Sequence, residues 1–168
     1  MRKGAGMAKL IVLGLGDVLS QDKGLGIYAV RDLYQDGWPE EVSFVHKMQN
    51  GSEFLLQECE HLLVLDTWST GKSPGTLHRC TLQDLVQERS FMHIPYLWDA
   101  LTLAELMGQC IDVLLLGLEP ENTAYDMQLS STLQGAYPGF LYQARKEMCC
   151  MLQEIGVQTR KLPVAYSE

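Results

Sequence analysis

Three short, almost entirely apolar segments constrain the fold more strongly than any other feature of this sequence. They are Leu10–Gly14, Leu62–Asp66 and Asp112–Gly117. Strands that are covered on both faces, as in a parallel sheet, consist of such continuous apolar residues, whereas strands with one wet face alternate. The sequence therefore predicts a buried parallel sheet, whose strands must be joined by crossover connections.

Helical and strand periodicities fill the intervals between these segments. Strands that alternate with helices imply an α/β fold, here a three-layer α/β/α sandwich of the phosphorylase/hydrolase-like kind, with a mostly parallel twisted sheet of about five strands. Residues 1–9 are expected to form a flexible leader and residues 10–168 a single domain. The remaining predicted strands are Glu41–His46, Thr76–Cys80 and Val157–Leu162. Helices are predicted at Gly24–Gln35, Gly51–Cys59 and Pro95–Gly108, and a last helix within Ser130–Ile155 is expected to be interrupted near Pro138. Asp22 is predicted to cap the first of these helices.

The composition excludes several classes of protein. The net charge of −8, from 21 acidic and 13 basic residues, argues against a nucleic-acid surface, which needs a basic face. No apolar segment approaches the roughly 20 residues that cross a bilayer, so no membrane association is expected. The five cysteines lack the Cys-x-x-Cys spacing of a metal or redox site. We therefore expect a cytoplasmic, monomeric protein with reduced thiols.

The glycine-rich segment Gly14–Gly26 invites comparison with nucleotide-binding loops, but its spacing differs from theirs. A dinucleotide fingerprint requires a third glycine at position 19, which is a leucine here, and a phosphate loop requires Gly-Lys-Ser/Thr. The segment also carries Asp17 and Asp22, two carboxylates that would repel a phosphate. Nucleotide binding is therefore disfavoured.

Sequence motifs follow the predicted strands in a definite order. In a doubly wound sheet, the loops after the carboxyl ends of the strands meet at one crevice, which is where ligands bind. The motifs are Gly14-Leu15-Gly16-Asp17, Leu19, Asp22-Lys23-Gly24-Leu25-Gly26, Leu62–Asp66, Ser73-Pro74-Gly75-Thr76, Ser90-Phe91-Met92-His93, Gly117-Leu118-Glu119-Pro120-Glu121 and Leu129-Ser130. Their order and spacing over residues 10–155 resemble those of the hydrogenase maturation proteases.

The resemblance implies a function, a substrate and a metal site. Members of that family remove a C-terminal tail from the large-subunit precursor of a nickel-containing hydrogenase, and the nickel that the precursor presents is the recognition signal. Three protease positions contact the nickel, and they correspond to Lys23, Asp66 and His93 here. A carboxylate and an imidazole suit nickel or zinc, although a strand-end aspartate also often caps a loop and a lone histidine is often structural.

The same resemblance suggests which residues carry the reaction. We expect a water molecule to be activated by the metal, by Asp66 or by Asp22, without an acyl-enzyme. The residues expected to line the substrate groove are Asp17, Trp68, Glu119 and Glu121.

Lys23 is the main departure from the family pattern, which has an acid at this position. An ammonium group cannot donate a lone pair to a metal. Lys23 could turn outward while Asp22 or Asp17 replaces the missing ligand, or its ammonium could occupy the cation site beside Asp66 and Asp22. Alternatively, the chain could be a non-catalytic paralogue that binds a hydrogenase-related partner through the same crevice. Asp17 also replaces an asparagine of the pattern, and an acid is absent from His46–Gly51.

Overall fold

The computed structural model describes residues 9–47, 59–84 and 95–157. These residues form a five-stranded sheet with helices on both faces. Across the described ranges, no helix has the length and apolarity that a membrane span requires. The elements are strands β1 (Leu10–Leu15), β2 (Val42–Lys47), β3 (His61–Thr67), β4 (Leu77–Thr81) and β5 (Asp112–Leu118), helices α1 (Leu25–Tyr34), α2 (Pro95–Leu106) and α3 (Ser131–Glu154), and a 3-10 turn at Gln21–Gly24.

The sheet is mostly parallel, as predicted. Its strand order is β2-β1-β3-β5-β4. Strand β1 pairs in parallel with β2 and β3, β3 pairs in parallel with β5, and only the edge strand β4 runs antiparallel to its neighbour. The chain therefore passes from β1 to one side of the sheet and returns to the other side at β3. The boundary between β1 and β3 is a topological switch point, where a crevice opens at the carboxyl edge.

Alternate residues of the central strands face two separate cores. Leu10 and Val12 of β1 pack with α1 and α3 on one face, whereas Ile11 and Leu13 pack with α2 on the other. The strands are buried on both faces because helices cover both, which is why their sequences are continuously apolar. The three-layer arrangement is confirmed.

Helix α3 corrects one prediction. It runs without a break over 24 residues, although Pro138 lies inside it. Proline lacks the N–H that would bond the carbonyl four residues earlier, which costs about 3 kcal/mol in a helix interior. Buried residues continue past Pro138 at helical spacing, including Phe140, Leu141 and Ala144, so packing against the sheet outweighs that cost.

Three sequence predictions lie wholly or largely outside the described residues. These are the leader before residue 9, the helix at 51–59 and the strand at 157–162. Lys9 is described, and its backbone forms hydrogen bonds next to the first residues of the parallel strands. Its N–H donates to Glu41 O at 2.9 Å, and its carbonyl accepts from Glu60 N at 2.8 Å and from His61 N at 3.0 Å.

Candidate active site

At the crevice, two glycines allow neighbouring segments of the backbone to lie unusually close together. Gly26, in the first turn of α1, lies so near the ends of β1 and β3 that a Cβ there would meet Leu65 O and Leu15 O. Gly16 has a φ of +135°, and its missing side chain leaves room for Lys23 O, with Asp66 Oδ1 3.9 Å from the ideal Cβ position. Glycine is needed at both positions, because any side chain would push the 16–24 loop away from β3.

Asp66 stands at the carboxyl end of β3, opposite Gly117 of β5. Its side chain is half-buried, and Oδ1 accepts a hydrogen bond from Thr67 N at 2.7 Å. Burial raises the pKa of Asp66 to about 7, although the Thr67 hydrogen bond and the positive charge of Lys23 both act to lower it. Near neutral pH this carboxyl group exists in both protonated and ionised forms, so it can accept or donate a proton.

Lys23 lies in the 3-10 turn and is exposed. Its backbone holds the loop, since its N–H donates to Ser20 O at 3.1 Å and its carbonyl accepts from Asp17 N at 3.0 Å. The positive charge of Lys23 acts to lower the pKa of Asp66. Among the described residues, however, no ion pair within 4 Å joins the Lys23 ammonium to Asp66 or Asp22. The alternative in which the ammonium pairs with both aspartates is therefore wrong in this structure.

Asp22 is fully buried and holds a distant loop in place. Its Oδ2 accepts from Glu121 N and Asn122 N, both at 2.8 Å, and from Ser130 Oγ at 2.9 Å, while Oδ1 accepts from Ser130 N at 2.7 Å. The predicted helix cap is wrong, because α1 begins after Gly24 without a side-chain cap. The carboxylate instead satisfies backbone donors that arrive from the segment between β5 and α3.

Asp17 shapes the loop that carries Lys23. Its Oδ1 accepts from Leu19 N and its Oδ2 from Ser20 Oγ, both at 2.9 Å. These two hydrogen bonds, with a smaller contribution from the charge of Lys23, outweigh a slight burial effect and lower the pKa of Asp17. Asp17 is thus an ionised loop residue at neutral pH.

Glu119 and Trp68 lie beneath the loop that follows Asp66. The buried Glu119 carboxylate accepts from Thr70 N at 2.8 Å, Thr70 Oγ1 at 2.9 Å and Gly71 N at 2.9 Å, and it contacts His78 Nε2 at 2.7 Å. Burial alone would raise the pKa of Glu119, but the hydrogen bonds from His78, Thr70 and Gly71 together lower it. Trp68 is half-buried, with its ring 5.6 Å from that of His78.

The other two predicted site residues, Glu121 and His93, differ in whether they can be placed. Glu121 is exposed, and its backbone N–H is one of the donors to Asp22. His93 lies outside the described residues. The structure therefore brings Asp17, Lys23 and Asp66 to the crevice and places Asp22 and Glu119 under the loops that surround it.

Two structural roles had weak sequence signals. No motif in the sequence indicates a partner for His78, yet it pairs with Glu119 across 41 positions of the chain. Ser130 is the N-cap of α3, with Oγ 3.4 Å from Leu133 N, and its hydroxyl also donates to Asp22. A serine before a helical segment could have been recognised as a cap, whereas its link to Asp22 depends on the tertiary fold.

Comparisons with known proteins agree on one family. A family model described as hydrogenase maturation protease matches residues 30–147. The chain is 28% identical over 151 residues to the hydrogenase expression/formation protein HupD of Rhodobacter capsulatus, covering 83% of this chain and 71% of that protein. It is 24% identical over 161 residues to the coenzyme F420 hydrogenase subunit delta of Methanothermobacter thermautotrophicus, covering 89% and 96%.

Solved structures show the same fold. The hydrogenase maturating endopeptidase HybD from E. coli matches with a TM-score of 0.78 and 24% identity, over 95% of this chain and 99% of that one. The [NiFe] hydrogenase maturation protease HybD from Thermococcus kodakarensis matches with a TM-score of 0.63 and 17% identity, over 83% and 98%.

Proposed function

We propose, from the premise that this chain belongs to the hydrogenase maturation protease family, that Asp66 is the residue at which its chemistry takes place. The function of this family is to remove the C-terminal extension of a hydrogenase precursor, and the family acts on nickel hydrogenase large-subunit precursors. The observation that carries the proposal is the Asp66 carboxyl at the switch point, which has one hydrogen bond and a pKa of about 7.

The proposed reaction is hydrolysis of one peptide bond with Asp66 as the proton carrier. The ionised carboxylate accepts a proton from a water molecule as the water oxygen attacks the scissile carbonyl carbon. When the C–N bond breaks, protonated Asp66 gives that proton to the leaving nitrogen, which yields a carboxyl terminus on the precursor and an amine on the tail. General acid–base catalysis of this kind contributes about 10²–10⁴-fold to a rate.

We assign this role to Asp66 rather than to Asp22. The Asp22 carboxylate receives four hydrogen bonds in a fully buried position. These hydrogen bonds engage both oxygens of Asp22 and hold its side chain in one geometry. Asp66 has one such bond, so its carboxylate keeps the capacity to accept a proton from water.

Nickel in the precursor is part of the substrate under this proposal. Asp66 offers a carboxylate to such an ion, and the ammonium of Lys23 offers no lone pair. We propose that one carboxylate oxygen of Asp66 and the imidazole of His93 contact this nickel, while the other Asp66 oxygen faces the attacking water and carries the proton. Asp17, Trp68, Glu119 and Glu121 form or support the walls of the groove.

The placement of α2 supports a role for His93. A short connection, 107–111, joins the end of α2 to the amino end of β5. Twelve helical residues span about 18 Å, which is close to the length of a seven-residue strand. Because α2 packs on the sheet, its first residue, Pro95, is expected near the carboxyl edge, and His93 precedes it by two positions.

The proposed protease acts as a monomer in the cytoplasm. Support comes from the net charge of −8, which opposes self-association, and from cysteines that form no disulfide in the structure. A secreted protein would be expected to pair them.

The test compares precursor that carries nickel with precursor that lacks it. Mass spectrometry of the incubated mixture should show release of the tail from the nickel-loaded form, and Asp66→Asn should slow that release by about 10³-fold. A matched control is Asp99→Asn, which removes an exposed carboxylate from α2. Release at an unchanged rate by Asp66→Asn would refute the proposed role.

Lys23 is the observation that favours a second function, binding of a hydrogenase-related partner without cleavage. Its positive charge lies where the family has a metal-contacting acid, and like charges at a few ångströms cost about 4 kcal/mol near a protein surface. Calorimetry with Ni²⁺ should show weak binding to the natural chain and stronger binding to Lys23→Glu. If the precursor binds while its tail remains attached, the non-catalytic function is correct; equal Ni²⁺ affinities of both proteins would refute the effect assigned to Lys23.

A further inference from the structure

A second group of ionisable side chains lies at the opposite edge of the sheet from Asp66. His61 begins β3, Asp112 begins β5 and Glu154 ends α3. Asp66 is five residues further along β3 than His61, which places it about 16 Å away. This amino-edge cluster, His61 with Asp112 and Glu154, is therefore separate from the crevice.

The cluster combines one imidazole with two carboxylates at short range. His61 Nδ1 is 3.9 Å from Asp112 Oδ2, and His61 Nε2 is 3.4 Å from Glu154 Oε2. One donor atom from each residue lies within 4.8 Å of the others. Rigid elements set this arrangement, because His61 and Asp112 are register partners in the sheet.

The imidazole is the feature that distinguishes this cluster from an ordinary acidic patch. His61 is 6% exposed, and each of its ring nitrogens faces a carboxylate oxygen, one from Asp112 and one from Glu154. Both separations are longer than the 2.7–3.2 Å of a good hydrogen bond, so the ring does not fix either carboxylate. One ring nitrogen and one oxygen of each carboxylate already lie within 4.8 Å of one another, so small movements of the exposed carboxylates would bring both to an ion on that nitrogen. The two carboxylate side chains are 84% and 64% exposed.

The surrounding electrostatics favour a cation. Two carboxylates next to one imidazole leave the cluster with a net negative charge, whichever form the ring takes. The C-terminal end of α3 adds the partial negative charge of the helix dipole, and its last turn contains no basic residue.

We propose that the amino-edge cluster binds a divalent transition-metal ion of the zinc and nickel class. Imidazole nitrogen together with carboxylate oxygen is the donor set that such ions prefer, and water would complete the coordination. The exposed carboxylates give the ion a path from solvent. Since the ligands come from β3, β5 and the end of α3, the bound ion stabilises the folded chain by linking these three elements.

The test uses Zn²⁺ as the probe and the full chain with reduced cysteines. All proteins carry Asp66→Asn, so that the crevice contributes less to zinc binding. Calorimetry should show that Asp112→Asn/Glu154→Gln loses one equivalent of bound zinc or binds it at least about tenfold more weakly. Zinc at tenfold excess over its Kd should raise the Tm of the parent by about 3 °C, and it should leave the Tm of the double variant unchanged.

Matched controls separate a site from general electrostatics. Glu60→Gln removes a negative charge one residue before His61 and should leave the zinc affinity unchanged. Mg²⁺, which prefers all-oxygen ligands, should not raise the Tm. The two replaced carboxylates are exposed, so the double variant is expected to fold. Equal zinc binding by parent and double variant, an equal loss in Glu60→Gln, or no zinc binding by the parent would overturn the proposal.

Discussion

Two aspartates near the crevice, Asp22 and Asp66, differ in almost every property except residue type. Asp22 is fully buried beneath the segment between β5 and α3 and receives four hydrogen bonds. Asp66 is half-buried at the end of β3, with one hydrogen bond and a pKa raised to about 7. The difference shows that burial by itself does not identify a reactive carboxylate. A carboxylate that accepts several hydrogen bonds from another segment stabilises the fold, whereas one with a single such bond in a desolvated position can exchange protons.

The first prediction concerns the loss of catalysis at Asp66. Asp66→Asn should lower the rate of tail release by about 10³-fold, because the amide cannot carry the proton. Mass spectrometry of the precursor measures the rate, and circular dichroism checks that the fold is retained. A rate within tenfold of the natural protein would mean that the reactive role has been given to the wrong aspartate.

The second prediction concerns the stability that Asp22 supplies. Asp22→Asn should lower the free energy of unfolding by about 3 kcal/mol, because an amide NH₂ would face backbone donors that now bond a charged carboxylate. Urea unfolding measures the change. Ser130→Ala, which removes one of the donors, should cost about 1 kcal/mol; an unchanged stability in Asp22→Asn would show that these hydrogen bonds do not hold the loop.

The third prediction uses pH to sharpen the contrast. The folded pKa of Asp66, about 7, lies above the ordinary aspartate value of 3.8. Protonated Asp66 therefore contributes to the free energy of unfolding. This contribution is fully present below about pH 4 and is lost as the pH rises through 7. Relative to Asp66→Asn, the natural protein should lose about 2 kcal/mol of stability between pH 4 and pH 8, after allowance for partial exposure. Parallel unfolding curves of the two proteins at all pH values would contradict the raised pKa.

The fourth prediction concerns Glu119, a second buried carboxylate that has several partners. Glu119→Gln keeps the shape but weakens the contacts with His78, Thr70 and Gly71, and it should cost about 1.5 kcal/mol in stability. Denaturant unfolding measures this cost. Glu121→Gln, at an exposed position, serves as the control and should change the stability by less than about 0.5 kcal/mol.

The smallest expected effect comes from Lys23. Lys23→Gln removes a positive charge that lowers the pKa of Asp66, so the pH profile of cleavage should move to higher pH. At pH 7 the rate should fall by about twofold, because less of the Asp66 carboxyl would be ionised. A shift to lower pH would show that the lysine acts on the reaction by another route.

The sequence predicts the layers of this fold well and the hydrogen bonds of the site poorly. Leu62–Asp66 could be placed as a buried strand ending in an acid, because burial on both faces leaves a continuous apolar segment. The partners of Asp22 could not be placed, since they lie 99 to 108 positions away. The interruption predicted at Pro138 was wrong for a related reason. The free-energy cost of a proline inside a helix can be judged from the sequence, whereas the packing that offsets this cost depends on how α3 meets the sheet.

Gly26 gives the crevice an unusual kind of fragility. The start of α1 rests against two strand carbonyls with no space for a methyl group. A change as small as Gly26→Ala would act as a wedge, lifting the start of α1 and carrying the attached turn with Lys23 outward. The pKa of Asp66 would then change although the substituted residue does not contact it, and the resulting phenotype would resemble damage to the proposed catalytic residue.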